Sequence, residues 1–343
     1  MGIDTSTPTA DRAAPAPAAG WPRRGWDAFL RRREASVLIV AIGLVVYFQA
    51  STPLFLTTDN LRNIAQATAP TAIVAVGIVF LLVSGEIDVS VGMVAALAPY
   101  LMHYAIDLYG LPAVPAILAA LAIAAVVGVV NGLITTRLRV PSFVTTLGMF
   151  YLLYGILLTT SRAYPVPIPE PAKGTIQTWF GAGDWATLGW CLLVVAFFHV
   201  VLTRTRWGLH TISVGGNLHG ATEAGIRVNR VKVGNFMLVS VLGAVAGLME
   251  AFRINSIDPN IGGGTRITFT AIAAAVIGGT ALAGGSGTVV GALLGMAVLA
   301  MLQNGFNLIG VSANPFFLIQ GIAILVSMIA NQYLSRLRRA GKA

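Results

Sequence analysis

Residues 70–102 read PTAIVAVGIVFLLVSGEIDVSVGMVAALAPYLM. Two apolar runs flank a short polar centre that contains Glu86 and Asp88. Each run belongs to a stretch of about 20 mostly apolar residues, the length that a helix needs to cross the hydrocarbon core of a bilayer. The stretch therefore predicts two membrane-spanning helices joined by a charged turn.

The same alternation of long apolar runs and short polar joints fills most of the chain. Hydrophobic residues make up 56% of the 343 positions and charged residues 10%, against roughly 25% charged residues in ordinary soluble domains. So few charges cannot cover a water-soluble fold. We predict an all-α integral membrane protein of about ten transmembrane helices. The predicted spans lie near 36–55, 61–83, 90–108, 112–134, 142–160, 185–202, 233–252, 267–282, 288–306 and 315–333.

Two places interrupt this pattern. The polar centre breaks the apolar run near 84–90, and span 267–282 is short and rich in threonine and glycine. Membranes tolerate broken helices where protein surrounds them. We therefore expect broken or half-length helices near 84–90 and 254–282. Residues 161–184 carry four prolines, which predict a surface loop.

The basic residues orient the chain. With ten spans, 17 of the 22 Lys and Arg fall on the side of the N-terminus, and this excess predicts that both termini are cytoplasmic. Residues 1–35 form an Ala- and Pro-rich tail that we expect to be disordered, residues 36–333 the membrane domain, and residues 334–343 a basic tail. The net charge of +9 resides in the joints and not on a soluble face, so no nucleic-acid partner is expected.

Three polar residues between the second and third spans are candidates for a pathway or a gate. They are Glu86, Asp88 and Ser90. Carboxylates at membrane depth are costly and indicate a functional site. The alternative is a cytoplasmic turn in which Asp88 or Ser90 caps the following helix.

Amides within or beside the spans are further candidates. Asn131, Asn304 and Asn307 suit a hydroxylated solute, although such groups more often link helices by hydrogen bonds. Glu250, near the outer end of the seventh span, has Arg253 one turn away as a partner. We expect this carboxylate at an exposed rim in preference to the pathway.

The longest inside joint, residues 209–232, reads LHTISVGGNLHGATEAGIRVNRVK. Its Gly215-Gly216-Asn217 interrupts helical structure, and the residues around Ala221 predict one short helix that ends at Gly225. Such a helix suits docking of a soluble partner, and an ordinary membrane-surface helix is the alternative.

Glycines spaced four apart predict close helix packing, because they align on one helix face. They are Gly128 and Gly132, Gly243 and Gly247, and Gly287, Gly291 and Gly295.

Several signatures of chemistry are absent from the sequence. A phosphate-binding loop needs Gly-Lys followed by Ser or Thr, whereas Gly341-Lys342 is followed by Ala343. The four histidines have no metal-ligand spacing, and no nucleophile-elbow motif occurs. We expect a subunit that is not an enzyme and binds no cofactor, with energy from another subunit or an ion gradient.

Five segments carry a family resemblance. They are GEIDVSVG (85–92), VPSFVTTLGM (140–149), VGGNLHGATEAGI (214–226), AIAAAVIGGTALAGGSGTVVGALLG (271–295) and NGFNLIGVS (304–312). In this order they resemble the permeases of ribose-type sugar ABC importers, a branch that includes xylose and galactose permeases. The resemblance covers roughly residues 36–333 and implies a pathway for a monosaccharide or similar small polar solute.

The resemblance also implies an assembly. In that family the GGN segment looks like the coupling helix that docks on the ATPase, which assigns this role to Gly215, Gly216, Asn217, Ala221 and Gly225. The implied partners are a separate ATPase that uses ATP and Mg, an extracytoplasmic solute-binding protein and a second permease chain, in a homodimer. The implied location is the lipid bilayer of a bacterial inner membrane.

Two departures from the family pattern stand out. Glu86 occupies the place of a usual glycine, and TFTAIAA (268–274) lacks the acidic residue often found before AIAA. The competing interpretations are an ion-coupled secondary transporter and an integral membrane glycosyltransferase. The first predicts ionisable residues in mid-helix and the second a catalytic constellation, and neither is evident in the sequence.

Overall fold

A computed structural model describes residues 34–183, 185–259, 265–311, 318–326 and 329. The predicted tails lie outside these residues, apart from Glu34 and Ala35, and so do parts of the predicted span 315–333.

The described chain is almost entirely helical. The helices are α1 (Glu34–Ser51), α2 (Thr58–Val83), α3 (Val91–Asp107), α4 (Ala113–Arg137), α5 (Ser142–Ser161), α6 (Thr175–Gln177), α7 (Ala186–Arg204), α8 (Arg206–Gly216), α9 (Leu218–Glu223), α10 (Val228–Ile254), α11 (Thr265–Ile277) and α12 (Val289–Leu308). Residues 318–326 are also helical. Short turns of helix cover Glu170–Ala172 and Thr178–Ala182.

Six of these helices are long and apolar enough to cross a membrane. They are α2, α4, α5, α7, α10 and α12, while Val37–Ser51 and Thr265–Ile277 are shorter apolar helices. A helix satisfies its backbone hydrogen bonds within itself, as a bilayer requires. The predicted all-α integral membrane fold is confirmed.

The predicted interruptions are present. The chain is not helical over residues 84–90, between α2 and α3, and α11 has only 13 residues. After α11 the chain runs without regular structure through residues 278–288 before α12 begins. These two connections contact each other, at Gly85 and Gly284.

The core forms around α10, which packs against α2, α3 and α4. Glycines allow backbones to touch there. A Cβ built on Gly247 would lie 1.8 Å from the carbonyl oxygen of Ala95 in α3, and a Cβ on Gly128 would lie 2.5 Å from the carbonyl oxygen of Phe236 in α10. Any side chain at either glycine would separate the helices.

A second close contact joins α11 and α12. A Cβ on Gly291 would lie 2.1 Å from the carbonyl oxygen of Gly278, and one on Gly295 would lie 2.1 Å from that of Ala274. Gly287, which was expected on the same helix, precedes α12 and faces the side chain of Val83 at 2.6 Å. Only two of the three glycines therefore share one helix face.

Residues 161–183 are more folded than the surface loop predicted for residues 161–184. Within it, Val166–Pro167 pairs with Ser256–Ile257 as a two-residue antiparallel ladder, and Ile168 and Ala172 are buried. The hydroxyl of Tyr100 donates to the carbonyls of Tyr164 and Ile257. The prolines exclude a long helix, but they do not prevent residues 161–183 from packing on the ends of α3 and α10.

We expect Gly291→Leu to reduce the amount of folded protein strongly. Overpacking typically costs about 1–3 kcal/mol, and here the obstacle is backbone, which cannot rotate away as a side chain would. The measurement is thermal unfolding and monodispersity in detergent, with Gly155→Leu as the matched control because no atom lies within 4 Å of a Cβ at Gly155. Equal unfolding temperatures for the two variants would contradict this packing.

Candidate functional site

A cavity of about 400 Å³ opens between α2, α10, α11 and α12. Its wall is partly polar. The polar lining residues are Asn63, Thr68, Thr71, Glu250, Arg253, Arg266, Thr270, Gln303, Asn304 and Asn307. The amides and hydroxyls among them offer both donors and acceptors of hydrogen bonds, so the cavity suits a polar molecule.

An ion pair forms one wall of the cavity. The Arg253 guanidinium donates to both carboxylate oxygens of Glu250, over 2.8 Å from Nε and 2.6 Å from a terminal nitrogen. Both side chains are about three-quarters buried. Such a bidentate pair is strong and compensates both charges. The predicted pairing is present, but the pair lines the cavity and does not lie only at an exposed rim.

The two predicted amides of α12 differ in their surroundings. Asn304 exchanges two hydrogen bonds with Asn60 of α2, over 3.0 and 2.9 Å, so its amide links helices while it borders the cavity. Asn307 is exposed at the cavity wall. Gln303, one residue before Asn304, also lines the cavity.

The candidates Asp88, Ser90 and Asn131 lie elsewhere. All three are fully buried. An Asp88 oxygen accepts from the amide and the hydroxyl of Ser90, over 2.7 and 2.6 Å, and Asn131 donates to that hydroxyl over 3.0 Å. The group links α3 to α4 and does not line the cavity; its role in gating stays a prediction.

The alternative capping interpretation describes Asp88 well, since its carboxylate accepts a hydrogen bond from the Ser90 amide at the start of α3. Ser90 is the N-cap residue but makes no capping hydrogen bond with its side chain. Burial raises the pKa of the Asp88 carboxyl above its ordinary value, and hydrogen bonds from Ser90 and Asn131 oppose that shift.

The 84–90 loop is held by hydroxyl groups from distant helices. The amide of Ile87 donates to Ser142 over 3.2 Å, and the amide of Val89 donates to Thr146 over 3.1 Å, both on α5. The amide of Gly92, in the first turn of α3, donates to Thr268 of α11 over 3.0 Å. Buried amides need such partners, so α5 and α11 fix the shape of this loop.

Glu86 is the one acidic residue of the loop that makes an ion pair with another segment. It pairs with Lys232 in α10, 146 residues along the chain, and both side chains are mostly buried. The residue at which the sequence departs from its family pattern thus has a specific partner.

The predicted docking segment is present as α9. The side chain of its N-cap residue Asn217 accepts from the amide of Gly220 over 2.9 Å, and Gly225 ends the segment with a φ of +76°. Ala221 does not lie on the exposed side, because it is 4% exposed and packs with Val214 and Val231.

The GGN glycines divide between surface and interior. Gly216 is exposed, but Gly215 faces inward, where a Cβ would lie 1.8 Å from the carbonyl oxygen of Val83. Gly215 is therefore a backbone contact at the end of α2, and its expected role in ATPase coupling stays a prediction.

Sequence reasoning missed the cavity residues of α2 and α11. A signal was available on α2, where Asn60, Asn63, Thr68 and Thr71 recur at intervals of three to five residues and place polar groups on one side of the helix. No comparable pattern marks Thr270, which lies between the exposed Phe269 and the buried Ala271.

A bundle of apolar helices around a polar cavity, with a small exposed helix at one side, defines a multi-pass membrane transport protein. The chain belongs to the family described as "Branched-chain amino acid transport system / permease component", which matches residues 60–328.

Curated relatives cover nearly the whole chain. The xylose/arabinose import permease protein XylH of Sulfolobus acidocaldarius is 35% identical over 90% of this chain and 87% of its own length. The ribose import permease protein RbsC of Escherichia coli K12 is 35% identical over 87% and 93%. The L-arabinose transport system permease protein AraH of the same strain is 30% identical over 92% and 94%. No solved structure matches the chain.

We expect Thr146→Val to destabilise the fold by about 1–3 kcal/mol, because the Val89 amide would be buried without an acceptor. Thr160→Val, also on α5, is the matched control, since its hydroxyl is exposed and donates only to the carbonyls of its own helix. Chemical or thermal unfolding in detergent measures the difference. A Thr146→Val variant as stable as the control would exclude this function of the hydroxyl.

Proposed function

We propose that this chain is the membrane permease subunit of an ATP-binding-cassette importer, and that it forms the pathway for a monosaccharide or similar small polar solute. The observation that carries the proposal is the cavity between α2, α10, α11 and α12. Its amides and hydroxyls match sugar hydroxyls, and the Glu250–Arg253 pair leaves no isolated charge on α10 to demand a counter-ion. Relatives named as pentose import permeases support this solute class.

The proposed topology has ten spans with both termini in the cytoplasm of a bacterial inner membrane. The grouping of the connections supports it. A ten-span chain that starts inside places the joints 84–89, 203–232 and 283–287 on the cytoplasmic side, and these three joints contact one another. The outer segments 161–184 and 254–258 also meet, through the two-residue ladder.

The proposed assembly contains a second copy of this chain, a separate ATPase that uses ATP and Mg, and a solute-binding protein on the outer side. The chain itself would bind no cofactor. The docking element for the ATPase is α9, a short helix that stands out from the bundle with Leu218 50% exposed. An exposed leucine on a small convex helix suits a complementary apolar groove.

We expect Gln303→Leu to lower solute uptake about tenfold, the effect of losing one hydrogen bond of about 1.4 kcal/mol. The assay is uptake of labelled pentoses by proteoliposomes that contain the permease, its ATPase and its binding protein, with ATP inside. Thr203→Val, exposed on α7 and outside the cavity, is the control and should transport normally. Full uptake by Gln303→Leu would show that this cavity is not part of the solute pathway. A wild-type complex without ATP-dependent uptake would refute the proposed function as a whole.

We expect Leu218→Glu to abolish co-purification of the ATPase while the permease stays folded, because a charge replaces an exposed apolar contact. Ala221→Glu should instead destabilise the permease, since Ala221 is buried. Leu138→Glu makes the same change as Leu218→Glu at a residue 70% exposed in another inside joint and serves as the control. Undiminished ATPase binding by the Leu218 variant would reject α9 as the docking element.

A further inference from the structure

The segment that carries α9 is fastened to the 84–90 loop region at both of its ends. At the first end, α8 finishes at Gly215 and Gly216, and the Gly215 backbone lies against the carbonyl of Val83, the last residue before the loop. At the second end, Lys232 in the second turn of α10 pairs with Glu86 inside the loop. The exposed α9 lies between these two attachments.

The connection between α11 and α12 joins the first attachment. The amide of Gly285 donates to the carbonyl of Val83 over 2.8 Å. A Cβ on Gly285 would lie 2.6 Å from the Cα of Gly216, and the φ of Gly285 is +74°. Three backbones therefore meet without intervening side chains, so that displacement of one moves the others.

The second attachment is electrostatic and largely excluded from water. Lys232 is 15% and Glu86 11% exposed in their side chains. Unlike the Glu250–Arg253 pair, which lies within one helix, this pair joins two distant segments. Removing one partner would leave an uncompensated charge in a poorly solvated place, whereas removing both would not.

Two of the helices that meet here continue to the cavity. α2 runs from Val83 back to the cavity residues Asn63 and Thr71, and α12 runs from the 278–288 connection to Gln303. A rigid helix transmits a displacement of its end along its length, so the attachments of the α9 segment are mechanically connected to the cavity wall.

We propose that Glu86 and Lys232 are positioning residues for transport, and that their ion pair, together with the contact of Gly215, Val83 and Gly285, transmits movement of the ATPase-docking segment to the cavity. This inference rests on the proposed function. In this account the 84–90 loop moves with the docking segment and passes that movement to α2. The account also explains why position 86 is acidic and pairs with a lysine in the docking joint.

A charge exchange tests the pair in the reconstituted complex of permease, ATPase and binding protein. The variants are Glu86→Lys, Lys232→Glu and the two together, with Arg137→Glu, an exposed charge reversal in another inside joint, as the control. The readouts are the amount of assembled complex, the rate of ATP hydrolysis and the number of labelled pentose molecules taken up per ATP hydrolysed. The last ratio separates transmission from simple stability.

Each single reversal should lower uptake per ATP at least about tenfold, and the double reversal should restore it to within about threefold of wild type. If the single variants fail to assemble, Glu86→Gln with Lys232→Met removes both charges together, and its assembled complex should hydrolyse ATP but show low uptake per ATP. A double reversal no better than the single ones, or an uncharged pair with normal uptake per ATP, would overturn the inference. Wild-type complexes that show no ATP-dependent uptake would instead refute the proposed function.

Discussion

The need to satisfy buried backbone amides in a non-helical loop shapes this protein more than any other interaction. A membrane helix satisfies its amides internally, but residues 84–90 do not form a helix, and Ser84 and residues 88–90 are buried from water. Each buried amide left without an acceptor there would lower the stability of the fold by about 1–3 kcal/mol. Ser142 and Thr146 accept from the loop amides of Ile87 and Val89, and Thr268 accepts from the amide of Gly92 in the first turn of α3. These bonds place α5 and α11 around the start of α3.

Four of the five segments that resemble sugar permeases meet at this loop. VPSFVTTLGM contributes Ser142 and Thr146, and the connection after α11 contributes the Gly285 amide to the carbonyl of Val83. Glycine is required where the backbones of Gly215 and Gly285 approach, because a Cβ on either would occupy the space of another main chain. Most of the family resemblance is therefore concentrated at one structural junction, whereas the segment NGFNLIGVS contributes Asn304 and Asn307 to the cavity wall.

The sequence predicted the helical class and the place of most helices because long apolar runs admit few other structures in a bilayer. It also located the short helix α9 through its asparagine and glycine. It did not predict that Ala221 is buried or that Thr146 reaches Val89, because contacts between residues far apart in sequence leave no local pattern. The Glu250–Arg253 pair followed from spacing, but its place on the cavity wall depends on how α10 packs against α2 and α12, which helical periodicity does not determine.

The central claim, that residues 84–90 form a rigid junction held by side chains of α5 and α11, is most directly tested by hydrogen–deuterium exchange of the intact protein in nanodiscs. Amides that donate to buried partners exchange only when the structure opens. Peptides covering 84–92 should therefore exchange at least about a hundredfold more slowly than the exposed segment 216–225. Exchange of the loop as fast as that of 216–225 would contradict the account.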